Sequence, residues 1–218
     1  MNLWLTRILP DPRSRDARRE HASAVDLHHR LMSLFEDDVP GTEPRRHLGV
    51  LFRAETGGTG SQILLQSARP PDLRRLPAGY GQAVTRPLTP LLDALRPGLS
   101  VQYRIAANPI RKPGRTTREL HGLSAVVPLH GAAADDWWTR QAEASGLRLH
   151  GLRSTPLDPA RGIRRGDLRR INHSRILFEG TAAVTDAGAL RVRLAEGIGK
   201  GKAYGCGLLS VAPHRQGG

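Results

Sequence analysis

The chain has 218 residues, and its 33 Lys and Arg residues outnumber its 20 Asp and Glu residues, which gives a formal net charge of +13. A chain of about 200 residues buries roughly 70% of its unfolded surface, and the single cysteine, Cys206, excludes both an intramolecular disulfide and a multi-cysteine zinc site. Apolar stretches fall far short of the ~20 residues that cross a bilayer, and no secretory signal is visible, so we expect a cytoplasmic protein with no membrane partner.

The first half of the chain predicts the element order β-α-β-β-α-β. Residues 2–9 form an apolar, strand-like pattern that is typical of the interior of a sheet. Ser23 predicts the N-cap of a helix over residues 24–35, with Asp26 at the capping-box position. The other predicted elements are a hairpin of strands at residues 47–53 and 61–67, a short helix near 72–76 and a strand near 82–86.

The second half repeats this order after a linker-like segment at residues 87–98. Asp135 or Asp136 is predicted to cap a helix over residues 137–145. The other predicted elements are a strand at 101–107, an irregular basic stretch, a β-rich segment at 123–129, strands at 147–153 and 175–184 around the arginine-rich turn 161–170, a helix from 186 to about 196 and a strand at 208–211. The pattern predicts an α+β fold of two tandem ferredoxin-like domains with antiparallel sheets, at residues 1–95 and 96–218.

Arginine dominates the basic residues, because lysine occurs only at positions 112, 200 and 202. Six basic residues and no acid lie between Arg96 and Arg118, and six arginines with one acid lie between Arg161 and Arg175. Since arginine pairs bidentately with phosphate, these two blocks favour a nucleic acid as partner. A solvated surface, or an arginine bias from a GC-rich genome, is the alternative explanation.

The glycine-rich segment at residues 197–207 fits neither common nucleotide-binding motif. A Walker A motif fails because Leu194 and Glu196 stand at the two possible first glycine positions. A dinucleotide-binding fingerprint fails because the segment follows a helix and precedes a strand. The backbone could therefore approach a phosphate chain beside Lys200 and Lys202, or it could simply form a tight turn between helix and strand.

His28 is the candidate for acid–base chemistry. With ~100° per residue, His28 falls at the border of the apolar stripe of its helix beside Phe35, whereas His29 faces water. An imidazole at such a border can have its pKa tuned and still reach a ligand, although a histidine there can equally be a packing residue.

Other catalytic and cofactor chemistry finds little support. The histidines lack HxxxH and HExxH spacing, so we expect no metal site and no cofactor. No G-x-S-x-G elbow is present, and Cys206 is expected to be a small buried residue. Trp137 and Trp138 could stack bases, but burial in the core is the favoured interpretation.

Five segments, taken in order, resemble the CasE family of CRISPR RNA-processing endoribonucleases of type I-E systems. These segments are NLWLTRILPDPRSR, VDLHHRL, YRIAANPIRK, LFEGTAAVTD and GIGKGKAYGCGLLSVAP. The resemblance implies a tandem ferredoxin-like fold, metal-independent cleavage of a repeat RNA at the base of its stem-loop, and retention of the product in the Cascade surveillance complex. It also implies a CRISPR repeat stem-loop and other Cascade subunits as partners of a chain that is a monomer when free.

The resemblance places the catalytic histidine at His28. In metal-free RNA cleavage the 2′-hydroxyl attacks the adjacent phosphate, so the expected products carry a 2′,3′-cyclic phosphate (or a 3′-phosphate) and a 5′-hydroxyl. The hairpin arginines would grip the RNA stem, and the glycine-rich loop would follow the RNA backbone. The predicted RNA-binding residues are Arg104, Arg111, Lys112, Arg164, Arg165, Arg169, Arg170, Gly199, Lys200, Gly201, Lys202 and Tyr204.

One position departs from the family pattern. Some relatives carry a tyrosine as a second catalytic group three residues before the histidine, where this chain has Val25. His29, Lys200 or no residue at all is therefore the second proton-transfer group. The alternative function is a non-catalytic subunit that binds structured RNA, in which His28 only packs.

Overall fold

The computed structural model describes residues 2–36, 44–57, 60–122, 124–164 and 166–214. Its strands are β1 (Trp4–Pro10), β2 (Leu51–Gly57), β3 (Gly60–Ser67), β4 (Gly81–Pro87), β5 (Ser100–Ala107), β6 (Ile110–Arg111), β7 (Val127–Pro128), β8 (Leu147–Leu149), β9 (Arg153–Ile163), β10 (Arg170–Val184) and β11 (Leu209–Pro213). Its helices are α1 (Arg15–His21), α2 (Ala24–Met32), α3 (Pro44–His47), α4 (Thr89–Ala94), α5 (Arg115–His121), α6 (Ala132–Glu143) and α7 (Ala187–Glu196), with 3₁₀ turns at Leu73–Arg75 and Lys202–Tyr204.

Both main sheets have the ferredoxin-like strand order. The first sheet runs β2-β3-β1-β4 and the second runs β11-β5-β10-β8, with every described pair antiparallel. In each sheet the first strand of the unit lies between the third and the fourth, as the β-α-β-β-α-β order requires. The predicted fold class is confirmed, and so is the interior position of β1.

Each sheet covers its own apolar core. Ile8, Leu31 and Phe52 are buried in the first core, and Trp138 and Phe178 are buried in the second. The rings of Trp138 and Phe178 stack with centroids 5.7 Å apart. Trp138 is therefore a core residue, as favoured from the sequence.

The segment at residues 87–98 is not a linker. It contains α4, whose Leu92 packs together with Leu95 in the second core. Arg191 of α7 also holds this segment, donating to the Leu92 carbonyl at 2.9 Å and to the Leu95 carbonyl at 2.8 Å. The prolines of the segment suggested a linker, although its leucines at 88, 91, 92 and 95 have helical spacing. The domain boundary after residue 95 remains a prediction.

Four helices differ from the sequence prediction. α1 and α5 were not predicted, because RDARREH and RTTRELH lack an apolar stripe. α3 occupies residues where a strand was predicted to begin. α6 starts at Ala132 with Gly131 as its N-cap, so neither Asp135 nor Asp136 caps it; a run of three alanines favours the earlier start.

The β9–β10 hairpin is longer than predicted. β9 continues to Ile163 and β10 begins at Arg170, so both strands extend to or into the predicted 161–170 turn. Two prolines in β9 conceal the strand in the sequence. They are tolerated because β9 pairs with β10 alone among the described strands, and proline is accepted on a sheet edge. No helix of the described ranges is long and apolar enough to cross a membrane.

Candidate RNA-cleavage site

α2 presents His28 at the surface of the first core. The Ser23 hydroxyl accepts from the Asp26 amide at 3.2 Å and caps the helix, as predicted, although the helix ends at Met32 and not at residue 35. Leu27 and Leu31 are buried on one face, His28 is half-buried and His29 is exposed. The helical periodicity therefore assigned the orientation of both histidines correctly.

A buried ion pair fixes α2 against α1. The Arg30 guanidinium donates through Nε and Nη2 to the carboxylate of Glu20, at 2.8 to 3.1 Å. Glu20 is 3% exposed, so the pair is shielded from solvent. A bidentate pair of this kind restricts the rotation of α2 and with it the direction of His28.

The His28 ring lies against Phe52 of β2. The two rings stack with centroids 6.5 Å apart and planes 19° apart, and the His29 ring lies 5.8 Å away. Burial, then His29 and Arg45, lower the pKa of His28 to about 4. Its Nδ1 atom is buried without a hydrogen-bond partner in the described residues. The imidazole is thus neutral at pH 7 and can accept a proton.

Val25, which precedes His28 by three residues on α2, is a packing residue. Its side chain is 2% exposed. It faces Gly162 of β9, where an added Cβ would lie only 2.6 Å from Val25 Cγ2. Because β9 and α2 approach so closely here, there is no room for a side chain at position 162 beside Val25.

The glycine-rich loop packs against Phe52, the residue on which His28 stacks. Gly201 and Gly205 flank the 3₁₀ turn with φ of +78° and +80°, a left-handed conformation that glycine adopts without strain. A Cβ on Gly205 would lie 3.2 Å from the Phe52 ring that stacks on His28. The loop therefore packs directly behind the candidate catalytic histidine.

A groove of about 1320 Å³ runs along the loop. Five cationic side chains line it and one acid, Glu196, does so among the described lining residues. The predicted residues that the groove brings together are Lys112, Gly199, Lys200, Gly201, Lys202 and Tyr204. The excess of cations over acids among these residues would attract phosphates.

Two arginines of the groove were missed by the sequence reasoning. Arg45 and Arg46 lie on α3, a segment predicted to lead into a strand, and both line the groove. Arg45 donates from Nη1 to the Val50 carbonyl at 3.0 Å. Because Arg45 lowers the pKa of both His28 and Lys202, although less than burial does, it connects the histidine with the groove electrostatically. The PRRH sequence of α3 shows that the segment is basic, but it does not indicate that the segment lies at the groove.

The two loop lysines differ in their surroundings. Lys202 Nζ donates to the Glu196 carbonyl at 2.7 Å and so binds the last residue of α7. Burial, and then Arg45, lower the pKa of Lys202. Lys200 is exposed. Lys200 is thus the loop lysine with the more accessible ammonium group, whereas Lys202 also holds the loop on the helix.

The predicted hairpin arginines are exposed at the tip of β9 and β10. The backbone closes the turn through Arg164 N and Arg169 O at 3.0 Å. Arg164 Nε donates to Asp167 at 2.9 Å, and Arg169 and Arg170 are exposed. Arg165 lies outside the described residues.

Arg104 and Arg111 are not among the residues that line the groove. Arg111 is exposed on β6. Arg104 lies in a different cleft, where it pairs with Glu179 at 3.1 Å and Glu55 at 3.5 Å. The structure therefore gives Arg104 an internal partner that the sequence did not indicate.

Cys206 lies beneath the loop and is completely buried. Burial raises the pKa of its thiol to about 12, so the thiolate is not formed at neutral pH. Within the described ranges no group of three or more His, Cys, Asp or Glu side chains could hold a metal ion.

Comparison with known proteins identifies the family. A family model described as CRISPR associated protein matches residues 3–213. The CRISPR-associated endoribonuclease Cse3 of Thermus thermophilus is 31% identical over 97% of this chain and 100% of its own. The CRISPR system Cascade subunit CasE of Escherichia coli is 28% identical over 90% of this chain and 96% of its own.

Structural comparison agrees with the sequence match. A structure of Thermus thermophilus Cse3 bound to an RNA representing a pre-cleavage complex has a TM-score of 0.80 and 31% identity, covering 98% of this chain and all of that one. The fold, the match over nearly the full length and the family model lead to one assignment. The chain belongs to the CasE/Cse3 family of CRISPR-associated proteins.

Proposed function

We propose that the chain is an endoribonuclease that cleaves CRISPR precursor RNA at the base of the repeat stem-loop. Family membership supports the RNA substrate, since Cse3 is named an endoribonuclease and has been solved with RNA bound. The observation that carries the proposal is the position of His28, a neutral imidazole that stacks on Phe52, the ring that also lies against Gly205 of the loop bordering the basic groove. His28 itself is not among the described residues that line the groove.

The RNA backbone occupies the groove in this proposal. Lys112, Lys200 and Arg46 bind phosphates, and the 2′-hydroxyl upstream of the cut attacks the adjacent phosphorus. The attack forms a 2′,3′-cyclic phosphate and expels the 5′-oxygen, so one proton leaves the 2′-oxygen and one reaches the leaving oxygen. The RNA supplies its own nucleophile, so the step needs no metal-bound water.

His28 removes the proton from the 2′-hydroxyl. Because Nδ1 is buried, Nε2 is the ring nitrogen that RNA can reach. A pKa near 4 keeps the ring in the basic form at neutral pH. General base catalysis of this kind contributes about 100- to 10,000-fold to a rate.

The group that protonates the leaving oxygen is left to Lys200, His29 or solvent. Lys200 lines the groove and is exposed, whereas neither His29 nor His28 is among its described lining residues. The geometry favours Lys200.

The hairpin arginines Arg164, Arg165, Arg169 and Arg170 grip the stem in this proposal. A-form RNA hides its base edges in a narrow major groove, so phosphate contacts dominate this binding. The product stays bound, other Cascade subunits dock on the complex, and the free chain is a cytoplasmic monomer.

Cleavage in EDTA tests the proposal against the non-catalytic alternative. A panel of CRISPR repeat stem-loop RNAs is incubated with the purified protein, and the end groups of any fragments are determined. The proposal expects one cut with a 2′,3′-cyclic phosphate and a 5′-hydroxyl. A protein that binds several stem-loops and leaves all of them intact is the RNA-binding subunit instead.

A further inference from the structure

The wall of the groove carries a pair of aromatic rings that phosphate binding does not require. Tyr204, the last residue of the 3₁₀ turn, and His173 of β10 stack with centroids 5.2 Å apart and planes 26° apart. Both side chains line the groove and are half-buried. Phosphates need N–H donors and positive charge, whereas flat rings provide a surface on which a nucleobase stacks.

Asn108 holds the histidine of this pair. Its Nδ2 atom lies 3.2 Å from His173 Nδ1. An amide nitrogen can only donate, so Nδ1 accepts and the neutral ring carries its hydrogen on Nε2. Asn108 is 4% exposed and therefore gives the ring a fixed support.

The His173 ring is neutral at pH 7, and the ring pair lies among cations. Burial, and then Arg169 of the hairpin, lower the pKa of His173. Arg46, Lys112 and Lys200 line the same groove. A base on the rings would therefore have its own phosphates within reach of positive side chains.

The size of the groove also favours a segment of polymer. Its volume of about 1320 Å³ exceeds the ~300–1,000 Å³ of typical small-molecule sites. In an A-form stem the bases are already stacked on one another, so only a nucleotide outside the stem can place its base on a protein ring.

We propose that Tyr204 and His173, with Asn108 as the positioning residue, form a stacking site for one unpaired nucleobase of the RNA that flanks the stem. This inference rests on the proposed function, because it requires the RNA to lie in the groove. Stacking on the rings accepts any base, so the site fixes the path of the strand and contributes little sequence preference.

Abasic substitution tests the site. Each unpaired nucleotide that flanks the stem is made abasic in turn, in RNAs kept intact by a 2′-deoxy nucleotide at the mapped cut. We measure the Kd of each RNA for the wild type, Tyr204→Ala and Tyr204→Phe. At one position the abasic change should raise the Kd of the wild type and of Tyr204→Phe by about 5- to 150-fold. The same change should raise the Kd of Tyr204→Ala by less than about twofold, because the stacking ring is already absent.

His173→Ala provides a second variant should Tyr204→Ala fail to fold. The same abasic change should again raise its Kd by less than about twofold. An equal cost of every abasic change in the wild type and in both alanine variants overturns the stacking site. Cleavage of the unmodified RNA by the wild type would then still support the proposed function. A wild type that neither binds nor cleaves RNA overturns both.

Discussion

Two clefts of this molecule contain arginines, and they differ in how those charges are compensated. In the cleft around Arg104, the carboxylates of Glu55 and Glu179 pair with the guanidinium groups, and Arg53 beneath them is 2% exposed. In the groove along the glycine-rich loop, Glu196 is the one acid among the described lining residues. Its carbonyl, not its carboxylate, accepts the bond from Lys202.

The difference separates structural arginines from those available to a ligand. Arg53 donates to Glu55 Oε1 at 2.6 Å and to the carbonyls of Arg104 and Leu208, at 3.1 and 3.0 Å. It thereby links β2 of the first sheet to β5 and to the residue before β11 of the second. The described lining of the groove contains five cationic side chains and one acid, a charge balance that favours a polyanionic ligand.

Among these predictions, removal of the His28 side chain should have the largest effect, which is on the rate of RNA cleavage. We expect His28→Ala to lower the cleavage rate by about 100- to 10,000-fold, because the proton acceptor is lost. The Kd for RNA should stay within about threefold of the wild type, since phosphate contacts dominate affinity. Single-turnover cleavage and filter binding measure the two quantities.

His150→Ala is the matched control for this variant, because His150 is exposed and is not among the residues that line either cleft. Its cleavage rate should equal that of the wild type. A His28→Ala protein that cleaves normally would show that the histidine only packs against Phe52.

Removal of the Arg53 side chain, beneath the cleft around Arg104, should destabilise the protein. Arg53→Met leaves Glu55 without its buried partner, and loss of one member of a buried pair costs about 3–5 kcal/mol. Chemical denaturation should show this loss in the free energy of unfolding. The exposed Arg86 serves as control, since Arg86→Ala should change stability by less than about 0.5 kcal/mol. Equal stability of the two variants would contradict the structural role of Arg53.

Substitution of single cations should show which of the two clefts binds RNA. Lys200→Ala should weaken RNA binding several-fold and lower the slope of log K against log salt by about 1, because one phosphate contact is lost. Arg104→Ala should weaken binding less, since its guanidinium already pairs with two carboxylates. The reverse order of effects would move the RNA to the second cleft.

The pH dependence of stability tests the burial of His28. The folded pKa of His28 is about 4, against an ordinary pKa of 6.5. Between these values the unfolded chain binds more protons, so the stabilising contribution is complete above pH 6.5 and is lost as the pH falls toward 4. The wild type should therefore lose more stability than His28→Ala over this window, in denaturation curves recorded at each pH.

The catalytic profile gives an independent reading of the same group. Because kcat/KM reports the free enzyme, it should rise with pH through about 4 and be level near pH 6. A base with the ordinary pKa of 6.5 would still be gaining activity there.

The sequence predicted the fold well where hydrophobic periodicity was strong. The strand order, the Ser23 cap and the outward turn of His29 all follow from spacing and from local hydrogen bonds. The family resemblance added the catalytic assignment of His28, which remains to be tested. Periodicity failed for α1, whose stability depends on the pair between Glu20 and Arg30 of the next helix.

The composition of the groove could not be predicted from the sequence. Arg45, Asn108 and His173 come from three separate parts of the chain and meet only in the folded protein. Conversely, Arg104 lies in an uninterrupted basic block, but strand pairing places Glu179 directly opposite it. Charge runs along a sequence do not reveal cross-strand partners, so the count of arginines overestimated the free positive surface in this region.

The most direct test of the cleavage site uses two RNAs that differ in one oxygen atom. A repeat stem-loop RNA and its copy with a 2′-deoxy nucleotide upstream of the cut are incubated with the wild type in EDTA. We expect equal binding of both RNAs and cleavage of the all-ribose RNA alone. Cleavage of the 2′-deoxy copy at the same bond would contradict it, because the 2′-hydroxyl would then not be the nucleophile.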